Sequence, residues 1–235
     1  MDVKQLGIIL TVWAHPDDES FCAAGTIAAA IKNGQKVVCV TATKGEAGVQ
    51  DTKRWPQEKL AEIREAELQK TLKTLGVKNH HFLGYKDGEC EYGANEAVEK
   101  IKSLIAQYKP DTIITFGPDG MTGHPDHRAV SKWVTLAVAE LKDKPLVIHP
   151  VQTRESFDKY FKQMDDELNI FFNIKEPHVV KDSQCDFVYK LSPELCDIKY
   201  QALLAQESQM TKMMQSFDED FLKSAFSTEA FVKAK

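Results

Sequence analysis

Apolar runs of strand length alternate with helical patterns along the first 150 residues of the chain. The runs are rich in β-branched residues, which is typical of parallel strands that are covered on both faces. The predicted strands are Gly7–Trp13, Lys36–Thr43, His80–Leu83, Asp111–Phe116 and Leu146–His149. A segment with apolar residues at helical spacing follows each of the first four runs. This order predicts an α/β fold, a doubly wound and mostly parallel sheet with helices on both faces.

The predicted helices cover Ser20–Asn33, Pro56–Leu75, Val98–Ile105 and Ala129–Val138. Beyond residue 150 the pattern weakens: Thr153–Val180 shows no clean period, whereas Pro193–Gln215 has the spacing of one further helix. The phenylalanines of the last twenty residues are expected to pack into the core. No stretch rich in Pro, Gly or Ser divides the chain, so we predict a single domain over residues 1–235.

Two clusters of histidine and aspartate stand directly after predicted strands. Ala14–Glu19 (AHPDDE) follows the first strand, and Gly123–His127 (GHPDH) follows the fourth. In a doubly wound sheet of order 3-2-1-4-5, the first and fourth strands are neighbours at the point where the strand order reverses. Ligands bind beyond the carboxyl ends of those strands, so both clusters are expected to form one site.

Within each cluster, residues three positions apart share a face of a helical turn. This spacing pairs His15 with Asp18, and His124 with His127. The aspartates between them, Asp17 and Asp126, can serve as a base or as a second layer around a metal ion. Turn formation alone also favours Pro and Asp, but two such clusters at the ends of the switch strands favour a metal site.

Composition limits the classes of partner and the compartment that the protein is expected to have. The net charge is −5 and no basic stripe is present, which argues against nucleic acid. The five cysteines form no CxxC pair, which is typical of a reducing compartment. Neither a secretory signal nor a membrane-spanning run is recognisable, so we expect a cytoplasmic protein without a membrane partner. The sequence leaves the oligomeric state open, and a homo-oligomer is compatible with it.

Several activities remain open at this point. Two histidines and one carboxylate also bind iron in non-haem iron(II) oxygenases, although an adjacent base favours hydrolysis. A phosphoester or nucleotide hydrolase is disfavoured because no P-loop or GxGxxG follows the first strand. A complete ligand set with a spare aspartate argues against a non-catalytic binding module.

The two clusters resemble the paired motifs of the PIG-L/LmbE-like zinc-dependent N-acetylglucosaminyl deacetylases. Supporting similarities occur along the chain, at Thr43–Gly48 (TKGEAG), Arg64, Leu83–Gly88 (LGYKDG) and Lys199–Gln209. The chain differs at Gln206, where many members have a histidine, and this difference bears on substrate specificity. The resemblance implies a Rossmann-like sheet and a deacetylase that binds one Zn²⁺ per chain. The types of ligand residue leave Fe²⁺ as the alternative ion.

The resemblance also implies roles for individual residues. It assigns the zinc ligands to His15, Asp18 and His127, the general base to Asp17, and substrate contacts to Arg64 and Asp87. It makes His124 a positive group near the developing oxyanion, oriented by Asp126. The expected reaction removes an N-acetyl group from a small soluble sugar-like molecule, an N-acetylglucosaminide. Hydrolysis of another amide or ester is the alternative.

Overall fold

The computed structural model describes residues 2–234. Its strands are β1 (Ile9–Trp13), β2 (Val37–Thr41), β3 (Asn79–Phe82), β4 (Thr112–Thr115), β5 (Leu146–Pro150), β6 (Gln152–Thr153), β7 (Val179–Val180), β8 (Phe187–Lys190) and β9 (Thr228–Lys233). Its helices are α1 (Asp18–Lys32), α2 (Leu60–Leu75), α3 (Ala94–Tyr108), α4 (Pro125–Ala139), α5 (Arg154–Ser156), α6 (Lys162–Leu168), α7 (Pro193–Leu204), α8 (Glu207–Ser216) and α9 (Glu219–Ala225). A π-helical turn, Phe157–Phe161, joins α5 to α6.

The central sheet has the strand order β3-β2-β1-β4-β5-β9-β8. The first five strands of this order are parallel, as the apolar runs predict. β9 pairs antiparallel with both β5 and β8 and extends the sheet beyond the predicted strands. The predicted doubly wound α/β fold is therefore confirmed.

The alanine-rich helix α1 packs between the sheet and α7. Its small side chains permit a close approach, and most of them are fully buried. Gly25 marks the closest point, because a Cβ built there would lie 2.3 Å from a methyl carbon of Leu191. This packing fixes the height of α1 above the sheet, and with it the position of the residues at its N-terminus.

The helix predicted over Pro193–Gln215 is wrong in one respect, because it is two helices. α7 ends at Leu204, and Gln206 leaves the helical region with φ −89° and ψ 53° before α8 begins. The Gln206 side chain is fully buried and donates from Nε2 to Thr71 Oγ1 at 3.0 Å, which holds the break in place. Within residues 2–234, no helix has both the length and the apolar character that crossing a bilayer requires.

A second apolar cluster lies away from the sheet, between α6, α7, α8 and α9. It contains Met164, Leu203, Met210 and Phe226, each buried to at least 94% of its surface. Of the phenylalanines near the end of the chain, Phe226 packs in this cluster and Phe231 packs in the main core. The prediction that these rings pack into the interior is confirmed.

Candidate metal centre

The two His/Asp clusters meet at the carboxyl ends of neighbouring strands. β1 runs parallel to β4 with Val12 opposite Thr115, so the segments that follow leave the sheet side by side. α1 and α4 begin within these segments, which places one cluster at the N-terminus of each helix. His15 Nδ1 and His127 Nε2 lie 3.3 Å apart although 112 positions separate the two residues. The structure thus brings the predicted clusters together.

Three side-chain donors converge on one point. His127 Nε2 lies 3.3 Å from His15 Nδ1 and 3.3 Å from Asp18 Oδ1, and His15 Nδ1 lies 3.8 Å from Asp18 Oδ2. Ligands bound about 2.0–2.1 Å from a tetrahedral zinc ion are about 3.3–3.4 Å from one another. Two of the three separations match this spacing, and the third, which is measured to the other carboxylate oxygen of Asp18, is longer. The three side chains could therefore hold a metal ion and leave a position open for water or substrate.

Neighbouring groups fix the orientation of these donors. The Nδ1 of His127 lies 3.0 Å from the Gly120 carbonyl, which makes Nδ1 the protonated nitrogen and leaves Nε2 as a ligand. Its ring stacks on Phe116 with centroids 3.9 Å apart and planes 5° apart. Asp18 Oδ2 accepts the His15 N–H at 2.8 Å. Burial opposes ionisation of Asp18, but attraction to His127 outweighs it and holds the pKa of this carboxyl below its usual range.

The other nitrogen of His15 faces two carboxylates. Nε2 lies 3.0 Å from Asp87 Oδ1 and 3.2 Å from Asp126 Oδ2. Asp126 is fully buried and also accepts the N–H groups of Gly88 at 2.7 Å and Cys90 at 3.2 Å. Burial lowers the pKa of His15, but the hydrogen bonds to Asp126 and Asp87 outweigh burial and raise the pKa to about 10. Both carboxylates face Nε2, so a metal ion that binds Nδ1 would replace one proton of the imidazolium and leave the proton on Nε2 in place.

Asp87 and Asp126 share His15 as a neighbour. The resemblance predicts that Asp126 orients His124 and that Asp87 holds substrate, and these two roles stay predictions; in the structure both carboxylates contact His15. Asp126 is held there because backbone N–H groups of the loop after β3 bind its carboxylate. Its contact with His124 comes from the main chain, where the Asp126 N–H donates to His124 Nδ1 at 3.2 Å.

Asp17 lies beside the ligand cluster in an unusual backbone conformation. Its φ is 111°, a region that costs a residue with a side chain about 1–3 kcal/mol and that is found most often at functional sites. Its carboxylate accepts a hydrogen bond from Arg64 Nη2 at 3.0 Å. Burial raises the pKa of Asp17 to about 6, against the opposing effect of the Arg64 charge. A carboxylate with this pKa near a metal centre suits a general base.

The resemblance predicts that Arg64 contacts substrate, and in the structure this side chain is buried beside Asp17. Only 4% of the Arg64 side chain is exposed. Besides Asp17, its guanidinium donates to the carbonyl of Gly45 at 2.8 Å and to that of Pro16. Both terminal nitrogens of the guanidinium are therefore bound to the protein, and the side chain holds Asp17 in position.

His124 is the N-cap residue of α4 and points its ring toward the same centre. Its ring centroid lies 4.7 Å from that of His15 and 5.1 Å from that of His127, so the three histidines could also share one cation. Burial and the two neighbouring histidines lower the pKa of His124 to about 4. The resemblance predicts an imidazolium here. Nδ1 accepts the Asp126 N–H, so a neutral His124 ring would carry its proton on Nε2.

A cavity of about 400 Å³ opens beside Asp17, Asp18 and His127. Most of its remaining walls come from residues 150–230, where the sequence shows little pattern. One signal is visible in retrospect, because apolar residues stand at spacings of three and four around α6. They are Phe157, Phe161, Met164, Leu168 and Phe171. This spacing is typical of an amphipathic helix, but the acidic residues between the apolar ones make it hard to recognise in the sequence.

A buried ion pair that sequence reasoning misses joins this region to α1. Lys199 Nζ lies 2.7 Å from Glu229 Oε1, and both side chains are at most 2% exposed. Glu229 also accepts the N–H groups of Gly25 and Thr26, each at 2.8 Å. Lys199 donates to the Phe21 carbonyl at 2.9 Å. The pair therefore fixes the helix that begins with Asp18.

Comparison with known proteins gives a consistent set of relatives. The PIG-L family, described as GlcNAc-PI de-N-acetylase, matches residues 10–138. The 1D-myo-inositol 2-acetamido-2-deoxy-alpha-D-glucopyranoside deacetylase of Actinosynnema mirum is 30% identical over 86% of this chain and 81% of its own length. A probable N-acetyl-alpha-D-glucosaminyl L-malate deacetylase 2 of Bacillus cereus is 32% identical over 69% of this chain and 75% of its own.

Among solved structures, the N,N'-diacetylchitobiose deacetylase from Pyrococcus horikoshii superposes with a TM-score of 0.70. The match covers 100% of this chain and 87% of that chain at 21% identity. At this level of identity the likeness establishes the fold.

Proposed function

The chain belongs to the PIG-L family of de-N-acetylases, and from this premise we propose that it is a zinc-dependent hydrolase that removes the acetyl group from the nitrogen of an N-acetylglucosaminide. The observation that carries the proposal is the close grouping of three side-chain donors next to a further carboxylate, which Arg64 holds in place. The donors are 3.3–3.8 Å apart, and Asp17 lies beside them.

His15, Asp18 and His127 would hold the metal ion. Two neutral imidazoles and one carboxylate are a donor set that zinc accepts in catalytic sites, where a fourth position stays open. When bound, a zinc ion supplies Lewis acidity that polarises the amide carbonyl and lowers the pKa of the attacking water. Asp87 and Asp126 keep the His15 ring in the tautomer that this coordination needs.

The proton transfers belong to side chains of the chain itself. Asp17 accepts the proton of the attacking water, and Arg64 keeps its carboxylate directed at the centre. His124 donates from Nε2 to the oxygen that becomes negative in the tetrahedral intermediate, which a neutral imidazole can do. Asp17 then returns its proton to the amine as the C–N bond breaks, so that acetate and the free amino sugar are released.

The relatives support the choice of substrate class, since those of Actinosynnema mirum and Bacillus cereus are named as deacetylases of N-acetylglucosamine joined to inositol and to malate. We propose that this chain acts on a related N-acetylglucosaminide in the cytoplasm. The five cysteines are not joined in disulfides, and Cys185 and Cys196 are partly accessible; free thiols of this kind support a reducing compartment.

The test measures acetate and metal together. Purified protein is stripped with a chelator, reloaded with zinc or, anaerobically, with Fe²⁺, and incubated with methyl N-acetylglucosaminide and the inositol and malate conjugates. We expect acetate release with about one zinc per chain, loss on chelation and recovery with zinc. Asp17→Asn, which should keep the metal, controls for contaminating deacetylases. Full activity of stripped protein would refute the metal mechanism, and higher activity with Fe²⁺ would reassign the ion.

A further inference from the structure

The cavity beside the metal centre is larger and more apolar than an acetyl group on a sugar requires. Its volume of about 400 Å³ lies in the range of roughly 300–1,000 Å³ that is typical of pockets for drug-sized ligands. Apolar side chains, many of them aromatic, form a large part of the walls beyond the metal centre. They include Phe21, Phe161, Met164, Ile170, Met213 and Phe226.

Three of these rings form a row that leads away from the metal centre. Phe21 lies on α1, three positions after Asp18. Its ring centroid is 5.7 Å from that of Phe226, which in turn is 5.5 Å from that of Phe161. The row starts on the helix that carries the candidate ligand Asp18 and continues along the cavity wall, so it offers an apolar surface to a chain attached to the substrate.

Several polar side chains along these walls are paired with the protein, whereas Lys212 also lines the cavity. Lys199 is bound to Glu229, and Gln209 Nε2 donates to the Gly48 carbonyl at 3.0 Å. The side-chain oxygen of Gln50 is buried and has no hydrogen-bond partner. Gln50 belongs to the loop whose Gly45 carbonyl accepts from Arg64, and its Nε2 donates to the Gln209 carbonyl. A sugar hydroxyl buried without a partner costs about 1–3 kcal/mol, so the sugar ring fits the Gln50 side of the cavity and not the aromatic side.

The mouth of the cavity carries a further apolar group. Phe172 lines the cavity and is 67% exposed. Large exposed aromatic side chains at a cavity are unfavourable in water and are found at binding sites for apolar groups. The methionines of the walls suit chains of variable shape, since an unbranched thioether adapts to its neighbour.

We propose that the natural substrate is an amphiphilic amino-sugar derivative whose alkyl or aryl chain occupies this cavity while its N-acyl group lies at the metal centre. The inference rests on the proposed deacetylase function and adds the chemical class of the group attached to the sugar. The chain can be an apolar aglycone or a longer acyl group on nitrogen, and both present the same surface to the cavity.

The experiment compares two matched series with zinc-loaded protein. One series extends the aglycone of an N-acetylglucosaminide from methyl to butyl to octyl, and the other extends the acyl group of a methyl glucosaminide from acetyl to butyryl to octanoyl. We expect kcat/KM to rise in one series by up to about fourfold for each buried methylene, which corresponds to about 0.8 kcal/mol. The series that rises identifies the position of the chain.

Two variants locate the effect in the cavity. Phe172→Ala and Ile170→Thr should lower the ratio of kcat/KM between the longest and shortest substrates by about threefold to tenfold, because each removes part of the apolar contact. Leu136→Ala is the matched control. It removes an apolar side chain that is 42% exposed on α4, outside the cavity lining, and should leave the ratio unchanged.

Failure of this inference is distinct from failure of the proposed function. Turnover of the shortest substrates with no gain in either series would overturn the apolar site and leave the deacetylase. If no substrate is hydrolysed, the proposed function fails. Calorimetric binding of octyl and methyl glucosaminide then tests the cavity directly, where tighter binding of the octyl compound supports the site and equal affinity overturns it.

Discussion

Replacing Asp126 by asparagine tests whether this carboxylate orients the candidate metal ligand His15 or the candidate oxyanion donor His124. In the structure Asp126 Oδ2 accepts from His15 Nε2 at 3.2 Å and from Gly88 at 2.7 Å, while Oδ1 accepts from Cys90 at 3.2 Å. Asn keeps the size and can keep its oxygen toward His15. It removes the charge and turns an NH₂ toward the Cys90 N–H.

The size of the effect follows from the hydrogen bond that changes. A bond to a charged acceptor contributes about 1.5–3 kcal/mol and a neutral one about 0.5–1.5, so the loss is about 1.4 kcal/mol, or tenfold in zinc affinity. The substitution also lowers the pKa of His15, which by itself would favour metal binding because fewer protons must be displaced. A divalent ion is stabilised by a nearby carboxylate more than a proton is, so we expect zinc affinity to fall. Asp87 still accepts from His15 at 3.0 Å, and Asp87→Asn together with Asp126→Asn should cost more than about a hundredfold.

Zinc affinity is measured by competition with a chelator of known affinity at fixed pH, and kcat is measured separately at saturating zinc. Asp143→Asn, at an exposed position in the loop before β5, controls for the loss of one negative charge. We expect kcat of Asp126→Asn to recover largely once zinc is saturating. If zinc affinity stays within twofold of that of the unsubstituted protein while kcat falls, this reasoning is refuted, and Asp126 acts by orienting His124.

Three further predictions follow from the same geometry. Asp17→Asn should retain zinc while acetate release falls by roughly a hundredfold or more, and loss of zinc would make Asp17 a ligand. His127→Ala should bind zinc weakly and regain some activity at high zinc, whereas His124→Ala should keep zinc and lose turnover; equal loss of zinc in both variants would favour a three-histidine site. Lys199→Met should lower the free energy of unfolding in urea by about 3–5 kcal/mol, because Glu229 is left buried without its cation. Adding Glu229→Gln should restore part of that loss, and simple additivity of the two changes would argue against a coupled pair.

The parallel half of the sheet and the meeting of the two clusters are predictable from sequence because both follow from local pattern. Apolar runs such as Asp111–Phe116 predict buried strands, and the order of strands in a doubly wound sheet brings their carboxyl ends together. His15 and Asp18 could be paired because they are three positions apart, a relation that needs no knowledge of tertiary contacts.

The partners of Asp126 and Arg64 could not be predicted in the same way. Asp126 is fixed by N–H groups that lie 36 and 38 positions away in the chain, and Arg64 by a carbonyl 48 positions away. Such contacts depend on how a loop turns, which residue types alone do not specify. The C-terminal strand β9 is hidden for a similar reason, since it enters the sheet beside β5, about eighty positions earlier in the chain.

The division of the site at the end of β5 has a consequence for how such a protein can diversify. The three candidate metal ligands and Asp17 all precede residue 128, whereas most of the cavity wall follows Pro150. Side chains of the wall can therefore be exchanged without moving the donors that surround the ion, because those donors are oriented by β1, β4 and the loops next to them. Mutation can thus alter which molecules are accepted while the hydrolytic chemistry is inherited unchanged.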